Sequence, residues 1–101
     1  MAETRARGGA RAALDVVALV ITTIARIVAL IIVLAILFVV LEANPDNAIV
    51  SFVLDFGDFL VGPFDELFTP KNPKLEVAIN YGIAALVYLV IAGVIAGLLR
   101  R

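Results

Sequence analysis

The sequence predicts an all-α membrane protein: a hairpin of two transmembrane helices with an amphipathic interfacial helix between the spans. Three observations lead there. Of the 101 residues, 63% are hydrophobic and the mean hydropathy is +1.12, against about half apolar in an ordinary globular domain. The excess is gathered into two long runs rather than periodic stripes, and so small a soluble body would have too little polar surface to cover it. The charges are also sorted: six of the eight basic residues lie toward the termini, and seven of the nine acids lie between the runs.

The first run extends from Leu14 to Leu41. A bilayer core needs about 20 helical residues. Counting back about that many from Leu41 reaches Thr22, which puts Arg26 about one turn inside the hydrocarbon edge. From there its side chain can snorkel to the headgroups, so Arg26 is expected to be an interfacial anchor rather than a charge lining a pathway. Upstream, Arg11 and Asp15 are four apart and share a helix face. The helix is therefore expected over 10–41, with a cytoplasmic extension, behind a flexible cytoplasmic tail at 1–9 that contains Gly8 and Gly9. A cleavable signal peptide has a shorter apolar core, about 7–15 residues, and a small-x-small cleavage site. This run is longer and leads into Leu41-Glu-Ala-Asn-Pro, so it is expected to stay as an anchor.

In the middle segment, 42–76, each proline marks a junction. Asn44-Pro45 and Asn72-Pro73 each resemble an N-cap followed by proline at the first helical position. Gly62-Pro63 interrupts and Thr69-Pro70 terminates. The parse is a helix from about Pro45 to Val61, a short helical turn from Pro63 to Phe68, and a new helix from about Pro73. A third span is excluded by its acids: Asp55 and Asp58 near a helix centre would cost roughly 5–7 kcal/mol together, as much as the surrounding apolar residues return. Ser51, Asp55, Asp58, Gly62 and Asp65 recur at helical steps as one polar stripe, and Phe52, Phe56 and Phe59 fall in the apolar remainder. This predicts an amphipathic helix in the outer interface, or tucked against the spans, with its carboxylates toward water.

The second run, Val77 to Leu99, is uncharged and ends at Arg100 and Arg101; the second span is placed at 77–101. With Arg11, Arg26, Arg100 and Arg101 as cytoplasmic anchors, the positive-inside rule puts both termini in the cytoplasm and the acidic segment outside. An Arg-, Ala- and Val-rich composition is compatible with a GC-rich bacterial genome. A bacterial cytoplasmic membrane is the expected location.

Small residues recur on both runs. Gly93 and Gly97 form a small-xxx-small pair, joined by Gly82, Ala85, Ala92 and Ala96; Ala18, Thr22, Ala25 and Ala29 do the same on the first run. Such faces let backbones approach closely in lipid. The expected helix-packing residues are Ala25, Ala29, Gly82, Ala85, Tyr88, Gly93 and Gly97. Tyr88 lies deep enough to need a partner for its hydroxyl, whereas Asn80 and Tyr81 suit the outer interface.

Little chemistry is expected. There is no Cys and no His, which removes disulfides, thiolate or imidazole metal sites and imidazole acid–base catalysis. Asp55-Phe56-Gly57 matches a kinase triplet but lacks the phosphate loop, lysine and catalytic loop that give it meaning. Asp55 and Asp58 could share a hard divalent cation, but two ligands make a poor site; a solvated stripe is the simpler reading. No nucleophile–base pair, basic patch or phosphate cradle is visible. Catalysis, a cofactor, a small-molecule substrate and nucleic-acid binding are therefore not expected.

The stretch Asn44 to Phe68, directly after an apolar span, resembles the YGGT family of small bacterial integral membrane proteins through Asn44, Pro45, Asn47, Phe52, Leu60 and Pro63. The resemblance implies a small envelope protein, linked to cell division or osmotic tolerance. That family usually carries arginines just past the equivalent of Pro63, where this chain has Asp65 and Glu66, so no site is carried over. The expected role is structural or accessory, packing with copies of itself or within a larger membrane complex. The alternative is a homo-oligomeric cation-conducting pore with Asp55 and Asp58 at an acidic mouth; with Asp65 they make up the acidic outer stripe.

Overall fold

The computed structural model describes residues 2–101, with side chains from Gly8 onward. Three helices make up the fold: α1, Ala2–Val40; α2, Ala48–Val61, continued by a 3-10 turn at Gly62–Phe64; and α3, Pro73–Leu99. Helix accounts for 82% of the chain, and there is no strand among the described residues.

Helix α1 is already formed at Ala2, so Gly8 and Gly9 lie inside it rather than in a frayed tail. Two helical glycines cost about 1 kcal/mol each, and the Ala and Arg residues around them favour helix enough to carry it. Met1, which the expected tail includes, lies outside the described residues. At the other end, the Glu42 amide donates to the Val39 carbonyl and the Ala43 amide to the Phe38 carbonyl. This pairing closes a Schellman cap. Its cost is a left-handed Glu42, with φ at 56°, where glycine would be unstrained. Lys74 Nζ lies 3.0 Å from Glu42 Oε1, an exposed ion pair joining the C-terminal end of α1 to the N-terminal end of α3.

Helix α2 starts three residues later than the first Asn-Pro pair suggests. Asn44 Oδ1 accepts from the Asp46 amide in a local turn, and Asn47 is the true N-cap, accepting from the amides of Ile49 and Val50. The Asn72-Pro73 start behaves as the sequence predicts: Asn72 Oδ1 accepts from the Lys74 amide at 3.0 Å.

Helices α1 and α3 run antiparallel, with Glu42 beside Lys74 at one end and Arg11 beside Arg100 at the other. The seam is built mainly from alanine: Ala18, Ala25, Ala29, Ile32 and Ala35 against Tyr81, Ala84, Ala85, Ala92 and Ala96. Short side chains bring the two backbones close. The large apolar residues point the other way, as at Val20, Leu30, Leu86 and Val90, all exposed. Both long helices are long and apolar enough to cross a membrane, yet only 22% of either apolar window is buried within the chain.

Candidate functional site

The densest set of specific contacts lies where α2 and its turn dock on the C-terminal half of α1 and the N-terminal half of α3. Val50, Val53, Gly57 and Val61 form the buried face of α2. Gly57 permits the approach: a Cβ there would stand 2.9 Å from the Ala35 Cβ and 3.8 Å from the Tyr81 ring. The sequence pattern separates acids from phenylalanines but does not reveal this third, small-and-valine sector. The phenylalanines do not pack inward. Phe52 and Phe59 are exposed; the Phe52 and Phe56 rings stack with centroids 5.8 Å apart, and the Phe56 and Phe59 rings are tilted at 6.4 Å.

Three side chains of α3 hold the segment by hydrogen bonds. Tyr81 donates to the Asp58 carboxylate, and Tyr88 donates to the Leu60 carbonyl. The last carbonyls of a helix lack an intrahelical partner, so Tyr88 serves as a side-chain cap for α2. Asn80 does most. Its Oδ1 accepts from the Phe68 amide at 3.0 Å, and its Nδ2 donates to the carbonyls of Phe68 and Asp65, both at 2.8 Å. Asn80 and Tyr81 are both buried within the chain, Asn80 at 1% exposure. A buried polar side chain is retained where its hydrogen bonds are met, and the unpaired backbone of the turn supplies them.

Asp55, Asp58 and Asp65 are all exposed. Partial desolvation pushes the Asp58 carboxyl above its ordinary value, and the negative charges of Asp65 and then Asp55 add to the rise. The three therefore form one electrostatic group, as the stripe implies. No cluster of three or more metal-ligating side chains occurs among the described residues.

The expected packing residues divide. Ala25, Ala29, Ala85 and Tyr88 lie in or against the α1–α3 seam. Gly82, Gly93 and Gly97 do not: a Cβ at any of them would meet no neighbour within 4 Å. One residue is about 100° of helix rotation, so Ala92 and Ala96 take the seam and leave the Gly93–Gly97 face open. Among the anchors, Arg11 donates to the Arg100 carbonyl at 3.4 Å and forms no ion pair with Asp15. Arg26 is exposed and lines a groove of about 240 Å³ with Thr22, Ala25, Leu89, Ala92 and Gly93. Arg100 and Arg101 are exposed at the end of α3.

No family model, curated protein or solved structure matches this chain. Function is therefore argued from the chain's own surfaces. Two of these face outward without a partner: the α2 phenylalanines and the Gly93–Gly97 face of α3.

Proposed function

We propose that the chain is a small structural or accessory protein of the bacterial cytoplasmic membrane, with both termini cytoplasmic, packing with copies of itself or within a larger membrane complex. The observation that carries this reading is the inverted distribution of apolar residues: alanine inside, and Val, Ile and Leu outside, on helices mostly unburied by the chain itself. In water such a surface drives association. In lipid it is the solvated surface, and the small-residue seam supplies the packing. The fold is 63 Å long, enough for a bilayer of about 40–45 Å including headgroups. The open Gly93–Gly97 face offers a second helix a close approach.

Topology can be tested directly, because the chain has no cysteine. Single substitutions Glu3→Cys, Asp58→Cys and Arg101→Cys should be labelled by an impermeant thiol reagent on intact cells only at position 58. Labelling at 101 would refute the hairpin. For the partner surface, Gly93→Leu should change the native mass of the detergent-solubilised particle or release co-purifying chains; an unchanged particle would assign that face to lipid.

The electrostatic coupling of Asp55, Asp58 and Asp65 favours one second reading, a cation-conducting oligomer with an acidic mouth. Cation flux into liposomes that Asp55→Asn reduces is its expected signature. A well-formed oligomer without flux excludes it.

A further inference from the structure

We propose that α2 and the turn after it form a shallow re-entrant element seated inside the outer leaflet, with the face of Ile49, Phe52, Phe56 and Phe59 against lipid acyl chains. This rests on the membrane reading above and goes beyond a helix lying flat on the surface.

Depth follows from the register of α2 on the two apolar runs. Gly57 packs on Ala35, six residues before the end of the first run at Leu41, or about 9 Å inside it at 1.5 Å per residue. Tyr88, whose hydroxyl meets the Leu60 carbonyl, lies eleven residues after Val77, about 16 Å into the second run. A tyrosine on a helix leans toward that helix's N-terminus, so the carbonyl sits somewhat nearer the outer end. The Phe64 ring meets the Tyr88 ring edge-on, with centroids 6.2 Å apart. Tyr88 therefore stands near the midplane of a hydrocarbon core about 30 Å thick, with the Leu60 carbonyl and Gly57 on its outer side.

The second observation is independent of depth. Non-helical backbone is tolerated within a bilayer only where its polar groups are satisfied by protein. Part of the turn after α2 meets that condition. Buried Asn80 engages the Phe68 amide and the carbonyls of Phe68 and Asp65, Tyr88 engages Leu60, and Pro63 has no amide hydrogen to satisfy. A loop in water needs no such provision.

The faces of α2 then acquire separate environments. At about 100° per residue, Val50, Val53, Gly57 and Val61 face the hairpin. Phe52, Phe56 and Phe59 occupy one outward flank, and Ser51, Asp55 and Asp58 the other. Phe59 is 79% and Ile49 70% exposed at a level where the neighbouring apolar runs also face outward. Acyl chains fit such a surface without further complementarity. Shallow seating leaves the carboxylates within reach of headgroup water.

The chain has no tryptophan, so single tryptophans report depth. Phe59→Trp, with Leu75→Trp as the outer-end reference and Leu86→Trp as the deep one, would be reconstituted in liposomes of chain-brominated phosphatidylcholine. Quenching of Phe59→Trp at least twofold stronger than that of Leu75→Trp, with protection from aqueous iodide, is expected. Iodide quenching equal to that of Leu75→Trp would overturn the proposal and place α2 on the surface. Resistance to both quenchers would overturn it in favour of a second copy covering the face. If Leu86→Trp is itself unquenched by bromine, the membrane reading fails as well.

Discussion

The two halves of the α1–α3 hairpin are held together differently. The half that carries α2 is three helices thick: Val53, Val61, Ile32, Ala35, Tyr81 and Ala84 form one buried cluster, and Asn80, Tyr81 and Tyr88 each hydrogen-bond to α2 or its turn. The half toward the chain termini is two helices in contact through Ala18, Ala25, Ala92 and Ala96. It carries an apolar groove of about 330 Å³ along Ile21, Ala25, Val28, Tyr88, Ile91 and Ile95, and the polar-edged groove at Arg26. Specific polar contacts are expensive to break and define one arrangement. Small-residue contacts beside open grooves leave room for another helix or for lipid. Rigidity therefore belongs to the half that carries α2, and open surface to the half toward the termini.

The largest break in that contrast should come from Asn80→Ala. It removes three hydrogen bonds and leaves one amide and two carbonyls of the turn without partners. At about 1 kcal/mol for each bond, roughly 3 kcal/mol of local stability is lost. Hydrogen exchange should accelerate over Leu60–Phe68, while amides of Ala18–Ala29 keep their protection. Equal loss in both segments would mean that the halves unfold as one unit.

Gly57→Ala should have the next largest effect. The added methyl overlaps the Ala35 Cβ, and overpacking of this kind costs about 1–3 kcal/mol. The better helix propensity of alanine returns about 1 kcal/mol. The net loss should be reversed by Ala35→Gly in the same chain, a non-additivity that a double-mutant cycle in detergent would measure. If Ala35→Gly worsens the variant, Gly57 is not the contact that sets the distance between α2 and α1.

These two residues also show what the sequence could and could not disclose. Two long apolar helices, the Asn72-Pro73 start, the interruption at Gly62-Pro63 and the need of Tyr88 for a partner follow from composition and local rules. Each is encoded within a few residues of where it acts. The roles of Gly57 and Asn80 are not encoded that way. Gly57 is explained by Ala35, twenty-two residues away in sequence, and Asn80 by backbone atoms of the turn rather than by any side-chain pattern. Likewise, a small-xxx-small pair states that a close approach is possible without stating which neighbour uses it. Ala92 and Ala96 take the seam, and Gly93 and Gly97 remain open.

The half toward the termini can be tested by adding volume. Ala84 is fully buried in the cluster under α2, whereas Ala92 borders both grooves. Ala84→Leu should cost about 1–3 kcal/mol as an overpacked core, and Ala92→Leu less than about 1 kcal/mol because the leucine can turn into open space. Thermal or SDS denaturation of the two variants would compare them. Equal penalties would show that the seam is as tightly specified at Ala92 as under α2.

The smallest effect distinguishes the halves by pH. Asp58 binds its proton more tightly than an ordinary carboxyl at 3.8, through desolvation and the charges of Asp65 and Asp55. The folded chain therefore holds more protons than the unfolded one, so stability from this group is complete below 3.8 and falls as pH rises through the raised value. Exposure and solvent screening keep the change small. Acidification from pH 7 toward 4 should raise hydrogen-exchange protection, corrected for the intrinsic pH dependence of exchange, over Val53–Val61 and leave that of the seam at Ala25 and Ala92, which lacks carboxylates, unchanged. Asp58→Asn keeps an acceptor for the Tyr81 hydroxyl and removes the charge. It should be neutral to slightly stabilising at pH 7 and should flatten the pH response. A response that survives Asp58→Asn would detach the pH dependence from the Asp58–Tyr81 contact.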